Sequence, residues 1–213
     1  MFGRMEPNPT NTDTTDDRLA RQFAFLTEAD RLKQVVRASP IADGSRRENS
    51  AEHSWHLALY ALALADQAGP DVNIDRVVRM LILHDLVEID VGDVPIHSAN
   101  GQAHGSAEVA AAEARAADRI FGLLPSDIGV PLRALWAEFE AAETPDAVFA
   151  KSLDRVQPVQ QNLASGGGSW TTYNVTFDQL ESRVGQKVAR GAPGVWPYLR
   201  EKARAFLGGP DRR

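Results

Sequence analysis

An apolar helical stripe near the middle of the chain runs directly into ionisable residues. Four apolar side chains recur at three- and four-residue steps, the spacing of one buried helix face: Ile74, Val77, Val78 and Leu81. His84, Asp85 and Glu88 occupy the next positions on that face. Burying unpaired charge costs free energy, so these side chains need partners, and a divalent cation would serve all three. The alternative is that the helix ends at His84 and leaves the three groups solvated.

The length and composition of the chain predict a single domain. With 213 residues, of which 43% are apolar, the chain can bury a full core. Helical spacing recurs along the chain without a convincing strand pattern, which predicts an all-α helical bundle of about seven or eight helices. We expect one domain over residues 16–208, a disordered N-terminal tail over 1–15 and a short C-terminal tail over 209–213.

Charge and cysteine content narrow the classes of partner and of metal site. The formal net charge of −6 argues against binding of long nucleic acids or of an anionic membrane. No segment reaches the roughly 18 to 20 apolar residues of a membrane span, and the polar N-terminus is not a secretory signal, so we expect a cytoplasmic protein. The absence of cysteine excludes thiolate ligands. Any metal must therefore bind to His, Asp and Glu.

Two residues distant in sequence are candidates to join the His84–Asp85 pair. His53 lies in the first turn of a predicted helix, and Asp154 lies on the inward face of a helix whose start is marked by Thr144. Taken singly, they would be a structural histidine and a salt-bridge partner. Taken together, the four residues supply two nitrogen and at least two oxygen ligands from three helices. Such a set suits a borderline divalent ion with open positions for water and substrate.

Two loops carry further charged candidates. Arg46 lies in a polar loop just before the helix of His53, and guanidinium groups bind phosphate in a bidentate way. Paired arginines in a loop are also compatible with simple solvation. Gly92 would let the chain reverse after the charged cluster and return Asp93 towards it.

Three local predictions concern the backbone. A helix is expected over 16–37, with Asp16 or Asp17 as its N-cap. Pro158 lacks the N–H that would continue the helix of Asp154, so it should kink or end that helix. The Gly166–Gly168 run is interpreted as a hinge, a place where substrate meets backbone, or a plain connector.

At this point the chain resembles a known family, the HD-domain metal-dependent phosphohydrolases, whose pattern is a His, then His-Asp, then a distant Asp. Four motifs carry the resemblance: Arg46 to Trp55, His84 to Glu88, Gly92-Asp93, and Lys151 to Arg155. Over about residues 19–200 the chain is similar to the branch that contains the 5′-deoxynucleotidases.

The resemblance implies an α-helical fold, a homodimer and one bound divalent ion. The ion would be Mn²⁺, Co²⁺, Mg²⁺, Zn²⁺ or Fe²⁺, and its ligands would be His53, His84, Asp85 and Asp154. By the same comparison, Glu88 would handle protons. Asp93 would be a second acidic residue that supports catalysis or substrate placement.

The function that corresponds to this set is hydrolysis of a phosphate monoester, with a (deoxy)nucleoside 5′-monophosphate as the first choice of substrate. Glu88 would orient or deprotonate a metal-bound water, while Arg37 and Arg46 would neutralise the phosphate. Characterised deoxynucleotidases of the family carry an arginine followed by tryptophan at roughly the position of Arg37. Ala38 follows here, and this departure weakens the transfer of nucleotide specificity.

Two other functions are considered. Some HD-domain proteins bind two metals and act as oxygenases or phosphodiesterases through additional histidines, and His97 and His104 in the loop over 96–106 would be those ligands. The second alternative is a regulatory module that keeps the metal for stability and has no turnover. The presence of both Glu88 and Asp93 argues against it, since nothing structural requires both acids.

Overall fold

The computed structural model describes residues 14–98 and 106–208. In chain order the elements are α1 (Thr15–Asp30), β1 (Val36–Pro40), β2 (Arg47–Asn49), α2 (Ser50–Ala63), α3 (Ile74–Leu83), α4 (Glu88–Val91), α5 (Ala107–Phe121), α6 (Ser126–Ala141), α7 (Pro145–Ala164), α8 (Gly168–Thr172), α9 (Phe177–Leu180), α10 (Gln186–Gly191) and α11 (Val195–Leu207). Short 3₁₀ segments follow α1, α2 and α3, and a π-helical segment joins α9 to α10. The helical fold class is confirmed. Of the predicted tails, residues 1–13 and 209–213 lie outside the described ranges.

Side-chain caps determine where several helices begin. Four of the described helices start after a hydroxyl group that accepts a backbone hydrogen bond from three residues further on: Thr14, Ser106, Thr144 and Thr176. Asn49 forms a capping box with Glu52 at the start of α2. The prediction of Asp16 or Asp17 as the N-cap of α1 is wrong. The N-cap is Thr14, whose hydroxyl accepts the hydrogen bond of the Asp17 backbone N–H.

The segment after α1 differs from the predicted helix over 16–37. α1 ends at Asp30, and after a 3₁₀ turn the chain becomes β1, which pairs antiparallel with β2 and sets Val36 opposite Asn49. Adjacent β-branched valines favour extended backbone, and the proline that ends β1 disfavours helix in the residue before it. The hairpin places Arg37 beside the N-terminus of α2.

α7 is the helix on which the others converge. It packs against α2, α3, α6, α10 and α11. Gly191 allows α10 to approach closely, because a β-carbon there would lie 2.4 Å from Ser152 Oγ and 2.5 Å from the Val148 carbonyl oxygen. The position of Asp154, two residues beyond Ser152, therefore depends on this close packing.

α7 continues through Pro158 to Ala164, so the expected end of the helix at the proline does not occur. Val156 and Val159 on either side are buried. Proline removes one backbone hydrogen bond, and the packing of the flanking turns outweighs that loss.

The Gly166–Gly168 run is a packed connector between α7 and α8. All three glycines have positive φ. A β-carbon on Gly168 would lie 2.5 Å from Asn162 Oδ1 and 2.8 Å from Pro40 Cδ. Glycine is therefore needed for close packing against β1, which favours the connector over the other two interpretations.

Apolar stripes of α1 and α2 lie on the surface. The exposed side chains are Leu19, Phe23 and Leu26 on α1 and Trp55, Leu59 and Leu62 on α2. The buried face of α2 is formed by Leu57, Ala58, Ala61 and His53. Periodicity predicts which residues share a face, but not what covers that face. Among the described helices, none combines the length and the hydropathy needed to cross a bilayer.

Candidate metal centre

Side chains from three parts of the fold meet in one buried cluster. His53 comes from the first turn of α2, His84 from the 3₁₀ segment after α3, and Asp154 from the middle of α7. One ligand atom from each of these residues lies within 4.8 Å of the other two. Asp85 adjoins them, with Oδ1 2.9 Å from His84 Nε2 and Oδ2 3.9 Å from His53 Nε2. The structure thus brings together the four residues predicted as metal ligands.

The helix that carries the apolar stripe changes geometry at His84. α3 ends at Leu83, a 3₁₀ segment runs over His84–Val87, and Glu88 begins α4. His84 and Asp85 are both buried in this segment. The alternative of a helix that ends in solvated charges is therefore wrong, and the prediction of one continuous helix to Glu88 is also wrong. A 3₁₀ turn is tighter than an α-helical turn, and such segments often mark functional sites.

Hydrogen bonds orient the two imidazole rings. His84 Nδ1 donates to the Leu81 carbonyl at 2.8 Å, which directs Nε2 at Asp154 Oδ1, 3.7 Å away. His84 Nε2 is buried, and within residues 14–98 and 106–208 no acceptor meets it with good hydrogen-bond geometry, although Asp85 Oδ1 lies 2.9 Å away. His53 Nε2 lies 3.1 Å from the same Asp154 oxygen. Imidazole nitrogens and carboxylate oxygens that converge on one point fit a borderline divalent cation.

The cluster attracts positive charge. Burial alone would lower the pKa of His84, but Asp85 and Asp154 outweigh it and raise that pKa to about 10. Burial likewise opposes ionisation of Asp85, yet His84 and Arg37 lower its pKa to about 2. The pKa of Asp154 is also lowered, against burial, by Arg155 and the two histidines. Ionised carboxylates in this position require a compensating cation, either a proton on His84 or a metal ion.

Glu88 lies beside the cluster in surroundings that favour its protonated form. Burial and the negative charges of Asp85 and Asp93 raise the pKa of Glu88 well above its ordinary value, although Arg37 opposes the shift. The Ser50 hydroxyl donates to Glu88 Oε2. A carboxyl group whose pKa is raised holds a proton more readily than an ordinary glutamate, which suits a residue that takes up and releases protons during catalysis.

Arg37 links the acidic residues of the site. Its Nη1 lies 2.9 Å from Asp85 Oδ2 and 3.5 Å from Asp93 Oδ1. Gly92 has a φ of 74° and reverses the chain, so that Asp93 returns and accepts a hydrogen bond from the Ala38 N–H at 3.3 Å. Burial raises the pKa of Asp93, and Arg37 opposes that effect. The predicted return of Asp93 to the charged cluster is found.

A cavity beside the cluster carries cations on its α7 wall. Lys151, Asp154 and Arg155 all line it, since helix positions three and four apart share one face. Lys151 Nζ lies 2.9 Å from Glu140 Oε1, and Arg155 Nη1 lies 3.5 Å from Asp154 Oδ2. Glu113 of α5 and Glu140 of α6 also line the cavity, so its charge is mixed.

Arg46, predicted to bind substrate, lies away from this cavity. Its exposed guanidinium pairs with Glu52 through two contacts of 2.7 and 2.8 Å. Arg37, the other predicted substrate-binding residue, does line the cavity. Only one of the two candidate arginines is therefore positioned beside the cluster.

Three residues that support the cluster were not assigned a role from the sequence: Glu48, Ser50 and Gln157. Gln157 Oε1 lies 3.0 Å from His53 Nδ1, and Glu48 is buried behind this pair. The sequence contained only weak indications of these roles. Gln157 follows Asp154 by three residues and so shares its helix face, and Glu48 lies inside the motif around His53.

His97 lies outside the cluster. It is buried, and Arg183 Nη1 donates to its Nδ1 at 3.3 Å. Burial, with the positive charges of Arg183 and Arg155, lowers the pKa of His97 to about 4. The charged groups that shift the pKa of His97 in the described ranges are both cationic, and cationic neighbours disfavour a second metal ion at this ring. His104, the other histidine of the two-metal alternative, falls outside the described residues.

Comparison with models of known protein families gives a match to the HD domain over residues 29–196. The chain belongs to the HD-domain family. The matched range contains all four cluster residues together with Arg37, Glu88 and Asp93.

Curated relatives of this HD-domain chain include enzymes named 5′-deoxynucleotidases. The human protein HDDC2 is 31% identical over 138 residues, which cover 64% of this chain and 64% of the relative. Its bovine counterpart is 30% identical over 151 residues, 70% of each chain. The alignment thus spans just under two thirds of the length of the human relative.

Solved structures show the same fold. A crystal structure described as a predicted metal-dependent phosphohydrolase from Magnetospirillum magnetotacticum MS-1 is 42% identical, has a TM-score of 0.82, and covers 90% of this chain and 96% of its own. A conserved hypothetical protein from Pyrococcus furiosus, at 21% identity and a TM-score of 0.56, shares the fold alone.

Proposed function

We propose that this HD-domain protein is a metal-dependent phosphomonoesterase that hydrolyses (deoxy)nucleoside 5′-monophosphates. The observation that carries the proposal is the buried convergence of His53, His84 and Asp154, with Asp85 adjoining, next to the carboxyl group of Glu88. The similar proteins described above, 5′-deoxynucleotidases and a predicted metal-dependent phosphohydrolase, support the reaction and the substrate class.

His53, His84, Asp85 and Asp154 would hold one divalent ion. Mn²⁺, Co²⁺, Mg²⁺, Zn²⁺ and Fe²⁺ all accept mixed oxygen and nitrogen ligands to differing degrees, and the native ion is to be decided by experiment. When bound, such an ion polarises a phosphoryl oxygen and lowers the pKa of water in the cavity. The cavity provides space for water and substrate beside these four residues.

Glu88 acts as the general base in this proposal. It takes a proton from the attacking water while the water oxygen bonds to phosphorus and the ester P–O bond breaks. The leaving oxygen takes up a proton from solvent water, and Glu88 later releases its own proton to solvent. The Ser50 hydroxyl holds one carboxyl oxygen of Glu88. Asp93 orients Arg37 and β1, through its contacts with the guanidinium and with the Ala38 N–H.

Cations on both sides of the cavity neutralise the phosphate. Arg37 lies on the β1 side, and Lys151 and Arg155 lie on the α7 side. Arg46 is not assigned this role, because its charge is already paired with Glu52 outside the cavity. Charge-assisted contacts to a phosphoryl group stabilise its developing charge in the transition state.

The experiment is a phosphate-release screen. Protein freed of metal is loaded with each of the five ions and incubated with deoxyribo- and ribonucleoside 5′-monophosphates, other phosphate monoesters and cyclic nucleotides. We expect metal-dependent release from the 5′-monophosphates. Because Ala38 puts a small side chain on the cavity wall, we expect weaker discrimination between deoxyribose and ribose than a tryptophan there would give. A melting shift with metal but no hydrolysis would favour the regulatory module.

The variant Glu88→Gln separates catalysis from metal binding. We expect it to bind metal like the parent and to lose about 10²- to 10⁴-fold in kcat, the usual contribution of a general base. Glu143→Gln, an exposed glutamate outside the cavity, serves as the matched control and should keep the parent rate. Hydrolysis by Glu88→Gln at the parent rate would show that Glu88 has been given the wrong role.

We further propose a cytoplasmic homodimer. Nucleoside monophosphates are cytoplasmic metabolites, which supports the compartment. The exposed residues Trp55, Leu59 and Leu62 form one apolar ridge along α2, at steps of four and three residues. Such a ridge can pack against the same ridge of a second copy across a two-fold axis.

A further inference from the structure

A carboxylate is buried behind one of the metal-facing histidines. Glu48, in β2, is only 2% exposed. Its Oε1 accepts hydrogen bonds from Gln157 Nε2 and Gln161 Nε2, both at 2.8 Å, one helical turn apart on α7. The nearest guanidinium nitrogen, Arg37 Nε, is 3.9 Å from Oε2. Burying a carboxylate among amides costs free energy, so its position calls for a functional reason.

Gln157 connects this carboxylate to His53. Glu48 Oε1 accepts hydrogen bonds from two amide nitrogens, so the Gln157 nitrogen faces Glu48 and the Gln157 oxygen faces the other way. That oxygen lies 3.0 Å from His53 Nδ1, and an amide oxygen also only accepts. The His53 proton is therefore on Nδ1, which leaves the lone pair of Nε2 directed at Asp154.

The two histidines of the cluster are supported differently. His84 Nδ1 donates to a neutral backbone carbonyl, that of Leu81. His53 Nδ1 donates to an amide that is itself polarised by a carboxylate, and Glu48 Oε2 lies only 3.5 Å from the same nitrogen. A carboxylate behind a ligating imidazole holds the ring in orientation and strengthens it as an electron-pair donor.

We infer that Glu48 and Gln157 are positioning residues for metal binding. They act through His53 as a relay of carboxylate, amide and imidazole, which selects the tautomer that offers Nε2 and increases its affinity for a divalent cation. The inference rests on the metal ligands of the proposed function. It adds two residues to the metal site that touch neither the cation position nor the cavity.

The primary test measures the dissociation constant of Co²⁺ for the full-length protein freed of metal, by calorimetry and by the visible absorption of the bound ion. Glu48→Gln keeps the shape but removes the charge, and we expect the dissociation constant to rise about 10- to 100-fold. Gln157→Leu cuts the relay and keeps the carboxylate; it should weaken binding similarly, which preserves the test if Glu48→Gln fails to fold.

Gln161→Leu is the matched control. It removes a hydrogen bond to the same Glu48 oxygen, but no contact joins Gln161 to His53 in the part of the chain that the structure describes. We expect a lower melting temperature of the metal-free protein with a dissociation constant close to that of the parent. An equal loss of Co²⁺ affinity in Gln161→Leu would reduce Glu48 to a structural role and overturn the inference.

Relocating the charge gives the sharpest test. The double variant Glu48→Gln with Gln157→Glu moves the carboxylate one step closer to His53 and puts the amide behind it. We expect Co²⁺ affinity restored to the parent value or beyond, whereas a structural role predicts no rescue. Folded Glu48→Gln that binds Co²⁺ like the parent would refute the relay. The measured quantity is Co²⁺ affinity. If the parent released no phosphate, the proposed function would be contradicted, but the effect of Glu48 and Gln157 on metal binding would still be valid.

Discussion

Arg37 shares one guanidinium group among four carboxylates, of which Glu48 is the most distant at 3.9 Å. Besides Asp85 and Asp93, it approaches Glu88 Oε1 at 3.6 Å, and its side chain is 13% exposed. Burial disfavours the charge of Arg37, but the surrounding acids raise its pKa above the ordinary value. The negative charge of Asp85 raises the pKa of Glu88, so a substitution at Asp85 changes the protonation of Glu88.

His97 provides a test of stability against pH at the level of one residue. Its pKa is lowered to about 4, by burial and by Arg183 and Arg155, whereas an unfolded histidine titrates near 6.5. Between these values the unfolded chain binds a proton that the folded protein does not, so stability from this residue is lost as pH falls from about 6.5 to 4. We expect His97→Gln to lose less stability than the parent between pH 7.5 and 5 in urea unfolding.

The carboxylates of the site also titrate at acidic pH, which is why the measurement is a comparison of the two proteins. Co²⁺ binding at pH 7.5 should be the same in both, because His97 lies outside the cluster. Identical pH dependence of the unfolding free energy in parent and variant would contradict the prediction. A loss of bound metal in His97→Gln would instead revive the two-metal alternative.

At the scale of elements, α7 connects the core to the chemistry. One face of it carries Lys151, Asp154 and Arg155 into the cavity, and Gln157 on the next turn contacts His53. Its neighbours in the bundle therefore determine where these groups lie. The glycine contact with α10 is the closest of these packing constraints in the described part of α7.

Gly191→Ala should loosen the contact between α10 and α7. The added methyl group would meet Ser152 Oγ and the Val148 carbonyl oxygen at less than van der Waals distance, so a helix must shift. We expect the free energy of unfolding to fall by about 1–3 kcal/mol, the usual cost of overpacking. Urea denaturation measures it. Gly69→Ala, where nothing lies within 4 Å of the added carbon, is the control. A variant as stable as that control would contradict the prediction.

The elements differ in how well their sequences predict them. Thr144 correctly predicts the start of α7, where Pro145 is the first helical residue. Capping and helix initiation depend on residues that are close together in the sequence. The hairpin of β1 and β2 and the 3₁₀ segment at His84 were missed. Both depend on contacts with distant parts of the fold, which override local helical spacing.

The residues of the site also differ in how well the sequence predicts them. Residue type and spacing singled out His53, His84, Asp85 and Asp154, and the fold brings them together. The relay behind His53 was not predicted, although Gln157 is hardly further from His53 in the chain than Asp154 is. An amide carries no chemical signature of its own until its partners are known.

At the scale of the molecule, the α2 ridge gives the proposed homodimer a test. Leu59→Glu puts a charge in the centre of the ridge, and we expect it to halve the mass that light scattering gives for the parent, from two chains to one. Val130→Glu, at an exposed apolar residue on α6, should leave the mass unchanged. A parent protein that is already monomeric at micromolar concentration would contradict the proposal.

His53 and Asp154 lie 3.1 Å apart although 101 positions separate them in the chain. A cation shared by the two would act as a reversible cross-link that closes a loop of nearly half the polypeptide. The entropy of closing so long a loop is large, so the unfolded chain would gain much freedom whenever the link opened. Metal supply in the cell would then set the lifetime of the protein against proteolysis, in addition to its ability to turn over substrate.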